Sequence, residues 1–81
     1  MFLRGQVIRS VAGRDKGYLM AVTDSDGKYV YVCDGKERRL SGPKRKNPRH
    51  VEITSMILDE SQMHSDRGLR KALAQLEANN E

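Results

Sequence analysis

Two glycines that bracket three charged residues, with an apolar run on each side, restrict the fold of this chain more than any other feature. Gly13 and Gly17 enclose Arg14, Asp15 and Lys16, between the apolar segments 5–11 and 18–23. Glycine adopts positive φ without steric cost. The pattern therefore predicts two antiparallel strands joined by a short loop that points its three charged residues into solvent.

A second pair of strands is predicted around Asp34-Gly35. In segment 28–33, Val30 and Val32 alternate with Tyr29, Tyr31 and Cys33, which predicts a strand with the two valines on one face. Asp-Gly is a strong signal for a two-residue hairpin. We therefore expect a short fourth strand over residues 36–40.

Segment 41–48 is predicted to be irregular, because Pro43 and Pro48 each remove a backbone donor and restrict the preceding residue. Segment 50–54 then alternates again, with Val51 and Ile53 predicted to point inward. Five short strands with tight turns favour a mostly β fold, namely a small, strongly bent five-stranded barrel formed by residues 1–55.

Residues 56–81 form a C-terminal extension in this interpretation, with a loop expected over 59–64. Leu69, Leu73 and Leu76 recur at helical spacing after Ser65, a good N-cap residue. This pattern predicts an amphipathic helix over about residues 66–78. The leucine face has three alternatives: it packs on the barrel, it binds a protein partner, or it mediates self-association.

The charge of the chain is unevenly distributed. The net charge is +4 overall. Residues 1–54 contain twelve Lys and Arg against six Asp and Glu, whereas residues 55–81 contain three against five. A basic module followed by a mildly acidic tail points first to nucleic acid as the partner of the module.

Basic residues concentrate in segment 36–49 and, secondarily, in the loop between Gly13 and Gly17. Lysine supplies point charges and arginine a bidentate fork, and both bind phosphate oxygens. The alternative is a solvated loop that only keeps the protein soluble, and charge alone does not separate RNA from DNA. The candidate RNA-binding residues are Arg14, Lys16, Lys36, Arg38, Arg39, Lys44, Arg45, Lys46, Asn47, Arg49 and His50.

Other kinds of site are poorly supported. Tyr29 and Tyr31 have the chemistry to stack on bases, but half-buried packing is the commoner role of strand tyrosines. Segment 24–27 lacks the later ligands of a calcium loop, and Cys33, His50 and His64 lack metal-ligand spacing. We expect a buried Cys33, no metal or other cofactor, and no catalytic activity.

Segment 5–34 resembles the KOW module, a short β unit with a glycine-centred loop. The resemblance continues through segment 34–40 and the basic, proline-flanked segment 43–51. Together these motifs are similar to the small bacterial KOW-domain RNA-binding proteins, which are themselves similar to large-subunit ribosomal proteins of archaea and eukaryotes. No such match extends to the C-terminal extension.

This resemblance implies an SH3-like barrel whose glycine loop lies near the RNA-facing side. It also implies a non-catalytic, ribosomal-protein-like role in translation, with ribosomal RNA or the large ribosomal subunit as partner. KOW domains of elongation factors hold proteins instead, so a protein-interaction module that uses the C-terminal helix is the alternative.

The expected location is the cytoplasm. A single cysteine is typical of a reducing compartment. No apolar run approaches the roughly 20 residues of a membrane helix, and residues 1–4 lack the apolar segment of a signal peptide. We expect no membrane partner.

Overall fold

A computed structural model describes residues 2–79 of the chain. The described part contains five strands, two helices and one 3₁₀ turn: β1 (Gln6–Ser10), β2 (Leu19–Ser25), β3 (Val30–Cys33), β4 (Lys44–Lys46), the 3₁₀ turn (Pro48–His50), β5 (Val51–Ile57), α1 (Glu60–Met63) and α2 (Asp66–Asn79). The strands form one antiparallel sheet in the order β4-β3-β2-β1-β5. The mostly β fold with a C-terminal helix is thus confirmed.

The short connection between the two edge strands requires the sheet to curl. In a flat sheet, β4 and β5 would lie about 19 Å apart, which is four strand spacings. Residues 47–50 alone join them, and three of these form the 3₁₀ turn, which rises only about 2 Å per residue. The edges must therefore approach one another, although no pairing joins β4 to β5 in the described part of the chain. The sheet is strongly curled and open.

The inner face of the curled sheet encloses a cluster made only of strand residues and two partly buried neighbours. Val30 and Val32 are both 0% exposed, as predicted for one face of segment 28–33. They pack with Ile8, Met20 and Val22, and the edge of the cluster is covered by Phe2 and Val51. Neither helix contributes to this cluster, so the curl of the sheet itself excludes water from it.

The opposite face of the sheet is covered by α2. Leu69, Ala72 and Leu73 pack with sheet residues in one cluster, and Leu76 lies partly buried against it. The predicted helix and its N-cap are confirmed, because the backbone N–H of Gly68 donates to Ser65 Oγ. In the structure, the leucine face packs within the chain, which is the first of the three alternatives above.

Two predictions about segment 36–48 are wrong. Residues 36–40 form a loop rather than a strand, because the Asp34 carboxylate accepts hydrogen bonds from the backbone N–H groups of Lys36 and Arg38. The fourth strand lies instead at Lys44–Lys46, inside the segment predicted to be irregular. Pro43 just precedes this edge strand, a position where a missing donor costs little.

Later segments also differ from the predictions. β5 extends to Ile57, and the expected domain boundary at residue 55 falls inside it. Ile53 pairs with Ile8 and therefore shares the inner face with it, as predicted, but it is 49% exposed because β5 is an edge strand of an open sheet. His50 belongs to the 3₁₀ turn and not to a strand. The predicted loop over 59–64 contains α1, which Asp59 and Gln62 cap reciprocally.

Candidate nucleic-acid interface

One end of the sheet brings together the segments that contain most of the candidate residues. The glycine loop (residues 11–18) joins β1 to β2, and the β3–β4 loop (residues 34–43) joins the next pair of strands, so antiparallel pairing sets both loops at the same end. The 3₁₀ turn also lies here, since the N–H of Val11 donates to the carbonyl of His50 at 2.9 Å.

The glycine loop is attached to β4 by an ionic cluster centred on Asp15. The Asp15 carboxylate accepts hydrogen bonds from Ser10 Oγ at 2.7 Å, Lys46 Nζ at 2.9 Å and Lys44 Nζ at 3.1 Å. Lys46 Nζ also donates to the carbonyl of Ala12 at 3.1 Å, and the Lys46 side chain is only 5% exposed. These contacts hold the beginning and the middle of the loop against β4.

The electrostatics of this cluster favour a charged Asp15. Burial opposes ionisation, but the hydrogen bonds from Ser10, Lys46 and Lys44 outweigh it and hold the pKa of Asp15 well below its usual range. The prediction that all three charged loop residues point into solvent is wrong for Asp15, whereas Arg14 and Lys16 are exposed. Lys46 is therefore a structural residue rather than a surface cation. Lys44 pairs with the same carboxylate, although its side chain is more exposed.

Strand alternation sends the third cation of β4 to the other face. Arg45 is exposed, and its guanidinium carbon lies 4.5 Å from the centroid of the Tyr29 ring. The hydroxyl of Tyr31 donates to Asp26 at 2.9 Å, and this bond raises the pKa of Tyr31. Both tyrosines are half-buried. Arg45 occupies one face of the Tyr29 ring, which leaves less of that ring available to a base.

The β3–β4 loop is held by its backbone, which leaves its cations in solvent. Gly35 has a φ of +77° and sits against α2, where its carbonyl accepts a hydrogen bond from Arg70 Nη1 at 3.0 Å. The N–H of Leu40 donates to Asp66 Oδ1 at 2.7 Å. Lys36, Arg38 and Arg39 are all exposed.

The remaining candidates lie on the 3₁₀ turn. Asn47 caps the turn by accepting a hydrogen bond from the N–H of Arg49 at 2.9 Å, so its side chain has a structural contact. Arg49 and His50 are exposed. Within residues 2–79, the ion pairs involve the cations Arg4, Arg9, Lys44 and Lys46. None involves the exposed candidates Arg14, Lys16, Lys36, Arg38, Arg39, Arg45 or Arg49.

The two loops share a surface cleft of about 380 Å³. Arg14 from the glycine loop and Arg38 from the β3–β4 loop both line it. Two of the three acids that line the cleft are compensated, because Asp15 binds two lysines and Asp34 binds backbone N–H groups, whereas Glu37 has no ion pair within residues 2–79. Exposed guanidinium and ammonium groups around such a cleft suit an anionic polymer.

Comparison with known proteins gives no match: the chain matches no protein-family model and no curated protein.

Other kinds of site have little support among the described residues. In residues 2–79, no three His, Cys, Asp or Glu side chains are arranged to hold a metal ion, and neither helix has the length and apolar character to cross a membrane. Cys33 is 0% exposed, as predicted, and burial raises the pKa of its thiol to about 12.

Sequence reasoning missed two parts of this region. It gave Asp15 no structural role, because the lysines that bind it lie about 30 residues further along the chain. It also treated Arg67, Arg70 and Lys71 only as part of a net charge, although their spacing already indicated one helix face.

Proposed function

We propose that the protein is a non-catalytic RNA-binding protein that contacts the phosphate backbone through the glycine loop and the exposed cations of segment 36–49. One observation carries the proposal. Three segments converge on one end of the sheet and expose six cations there that have no ion pair within residues 2–79: Arg14, Lys16, Lys36, Arg38, Arg39 and Arg49.

The way these segments are held supports phosphate binding. Asp15, Lys44 and Lys46 attach the glycine loop to the sheet, and hydrogen bonds to α2 attach the β3–β4 loop. Because the loops are ordered in advance, binding costs less conformational entropy. Contacts to phosphate set the affinity and register but carry little sequence information. The protein is therefore suited to recognise folded RNA through the sugar-phosphate backbone of that RNA.

The finer identity of the fold and the partner belongs to the same proposal. The sheet curls until a four-residue connection with a 3₁₀ turn joins its edges, which is consistent with an SH3-like barrel of the KOW type. With the motif resemblance of segment 5–51, this supports a cytoplasmic partner of ribosomal RNA, bound to the large ribosomal subunit.

Salt-dependent binding tests the RNA-binding step. The probe is a fluorescein-labelled RNA hairpin, titrated by fluorescence anisotropy between about 50 and 200 mM salt. With about six phosphate contacts, the log–log slope of affinity against salt should be about −4 to −5. A DNA hairpin of the same sequence is the parallel probe. Salt-insensitive binding or no binding to RNA would contradict the proposal. Equal binding to the DNA hairpin would show that the protein does not select RNA over DNA.

A charge-matched pair of variants locates the surface. Arg14→Ala with Lys16→Ala removes two cations from the glycine loop and should weaken RNA binding. Arg4→Ala with Lys28→Ala removes one arginine and one lysine from the other end of the sheet, next to the β2–β3 turn. This control should bind RNA almost as the unaltered protein does. Equal losses in the two variants would indicate a general charge effect and not this interface.

Ribosome association is tested separately. The tagged protein is sedimented from a lysate through sucrose gradients at low and high salt. Migration with the large subunit at low salt, with release at high salt, is the expected result. If the protein stays at the top of both gradients, stable ribosome association is contradicted. RNA binding itself is then decided by the anisotropy measurement.

A further inference from the structure

The first half of α2 presents a second group of cations. Arg67, Arg70 and Lys71 are three and four residues apart, so they lie on one side of the helix. All three are exposed, whereas Leu69 and Leu73 on the other side are buried. This side of α2 therefore faces solvent with three positive charges, although its segment has a net negative charge.

The four acidic residues of segment 55–79 are already engaged within the fold. Asp59 caps α1, and Asp66 accepts a hydrogen bond from the N–H of Leu40. Glu60 pairs with Arg4 at 2.6 Å, and Glu77 pairs with Arg9 at 3.3 Å. Residues 55–81 have a negative net charge, but the surface of α2 beside the β3–β4 loop exposes the cations Arg67, Arg70 and Lys71.

The helix cations adjoin the cations of the β3–β4 loop. The loop sits on α2 through the Leu40–Asp66 hydrogen bond, and Arg39 and Arg67 are the chain neighbours of these two residues. On the other side of the loop, Lys36 and Arg70 line one cleft of about 430 Å³ together with three acids, Asp34, Glu37 and Glu77. Asp34 accepts backbone hydrogen bonds and Glu77 pairs with Arg9, so Glu37 is the acid of this cleft that has no ion pair within residues 2–79. The basic surface therefore continues from the loop onto the first turns of the helix.

We propose that Arg67 and Lys71 of α2 form a second phosphate-contacting surface, which binds the same RNA as the loops. This inference rests on the proposed function and extends it to the C-terminal helix. A polyanionic backbone is favoured because the helix cations continue a surface that already exposes Lys36, Arg38 and Arg39. Arg70 acts as a positioning residue, since its guanidinium donates to the Gly35 carbonyl and holds the loop on the helix.

The test compares three double variants, each of which removes one arginine and one lysine. They are the helix variant Arg67→Ala with Lys71→Ala, the glycine-loop variant Arg14→Ala with Lys16→Ala, and the control Arg4→Ala with Lys28→Ala. Alanine favours helices, and both helix positions are exposed, so α2 should remain folded. Circular dichroism and thermal unfolding check this before binding is measured.

The expected result is a change in salt dependence. Each lost phosphate contact lowers the magnitude of the log–log slope by about 0.7 to 0.9, so the helix variant should lose about 1.5 with the labelled RNA hairpin. The charge-conserving variant Arg67→Lys with Lys71→Arg should keep the original slope. The control should show little change.

The possible outcomes separate the two proposals. If the helix variant behaves like the control while the glycine-loop variant loses affinity, the inference about α2 is wrong and the proposed function stands. If the unaltered protein shows no salt-dependent binding to RNA, both are wrong. If the helix variant binds RNA normally but loses a protein partner, the helix face serves that partner and the inference is overturned.

Discussion

The two halves of the basic segment 36–49 have similar composition but different roles. In the first half, Lys36, Arg38 and Arg39 lie exposed on a loop whose backbone is held by α2. In the second half, Arg45 and Arg49 are also exposed, but Lys44 and Lys46 point from β4 toward Asp15, and Lys46 is almost fully buried. Cations of one basic segment are thus exposed to solvent in one part and form a structural cluster in the other.

The difference follows from local geometry. A strand points alternate side chains to opposite faces, so Lys44 and Lys46 share the face that meets Asp15, whereas Arg45 is directed to the face of Tyr29. In the compact β3–β4 loop, the internal contacts are made by backbone groups and the Asp34 carboxylate, and the cationic side chains stay exposed. The surface charge of such a segment depends on this arrangement as well as on its composition.

The largest expected effect of a single substitution is at Asp15. Asp15→Asn removes the anion that binds Lys44 and Lys46 and leaves the buried Lys46 ammonium without its ion pair. We expect the free energy of unfolding to fall by about 3 kcal/mol, as for other broken buried pairs. Urea denaturation measures this change.

The control for this substitution is Asp24→Asn. Asp24 is exposed, and an asparagine can keep its acceptor for the N–H of Ser25. The control should change stability by less than about 0.5 kcal/mol. If the two variants are equally stable, Asp15 does not hold the glycine loop and the two halves of segment 36–49 do not differ as described.

The next effect concerns how the β3–β4 loop is held. Gly35 and Gly27 both have positive φ, at +77° and +85°. A Cβ at Gly35 would overlap the carbonyl oxygen of Asp66 on α2, whereas a Cβ at Gly27 meets no atom within 4 Å. Gly27→Ala should cost about 1 kcal/mol, the ordinary cost of the backbone conformation, and Gly35→Ala about 1 kcal/mol more.

Chemical denaturation of both glycine variants checks this prediction. The difference between their free energies of unfolding reports the packing of the loop on α2, because both variants bear the cost of the positive-φ conformation. Equal losses would mean that the loop does not depend on α2. The exposed position of Lys36 and Arg38 would then need another explanation.

The smallest effect is a pH dependence that belongs to Asp15. Because its pKa is lower in the folded state, its contribution to stability is fully present above the unfolded pKa of about 3.9 and is lost as pH falls toward the folded pKa. The stability difference between the unaltered protein and Asp15→Asn should therefore narrow below about pH 4. The narrowing should be at most about 1.4 kcal/mol per pH unit.

Urea midpoints from neutral pH to about pH 2 measure this narrowing. Asp26 and Asp59 also have lowered pKa values, but they contribute equally to both proteins, so the difference reports Asp15. A stability difference that stays constant with pH would contradict the role of the charged carboxylate.

Local patterns predicted much of the fold. The first three strands and α2 follow from alternation, helical spacing and the Ser65 cap, all of which act within a few residues. The fourth strand was misplaced because the Asp34-Gly35 signal was satisfied by a compact loop. That loop is completed by contacts to Asp66 and Arg70, which lie far along the chain and give no local signal.

The candidate site was predictable to a similar extent. Charged residues on glycine-containing loops were expected to be exposed, and Arg14, Lys16 and Arg38 are. The partnership of Asp15 with Lys46 depends on the pairing of distant strands, so no spacing in the sequence indicates it. A basic segment alone does not reveal which of its cations the fold itself will use.

The most direct test of this account is the salt dependence of RNA binding after Lys36→Ala with Arg38→Ala. These substitutions remove two cations from the exposed half of the basic segment and touch neither the Asp15 cluster nor the hydrogen bonds to α2. We predict a log–log slope smaller in magnitude by about 1.5, with the free energy of unfolding unchanged within about 0.5 kcal/mol. A slope identical to that of the unaltered protein would contradict the assignment of the β3–β4 loop to RNA.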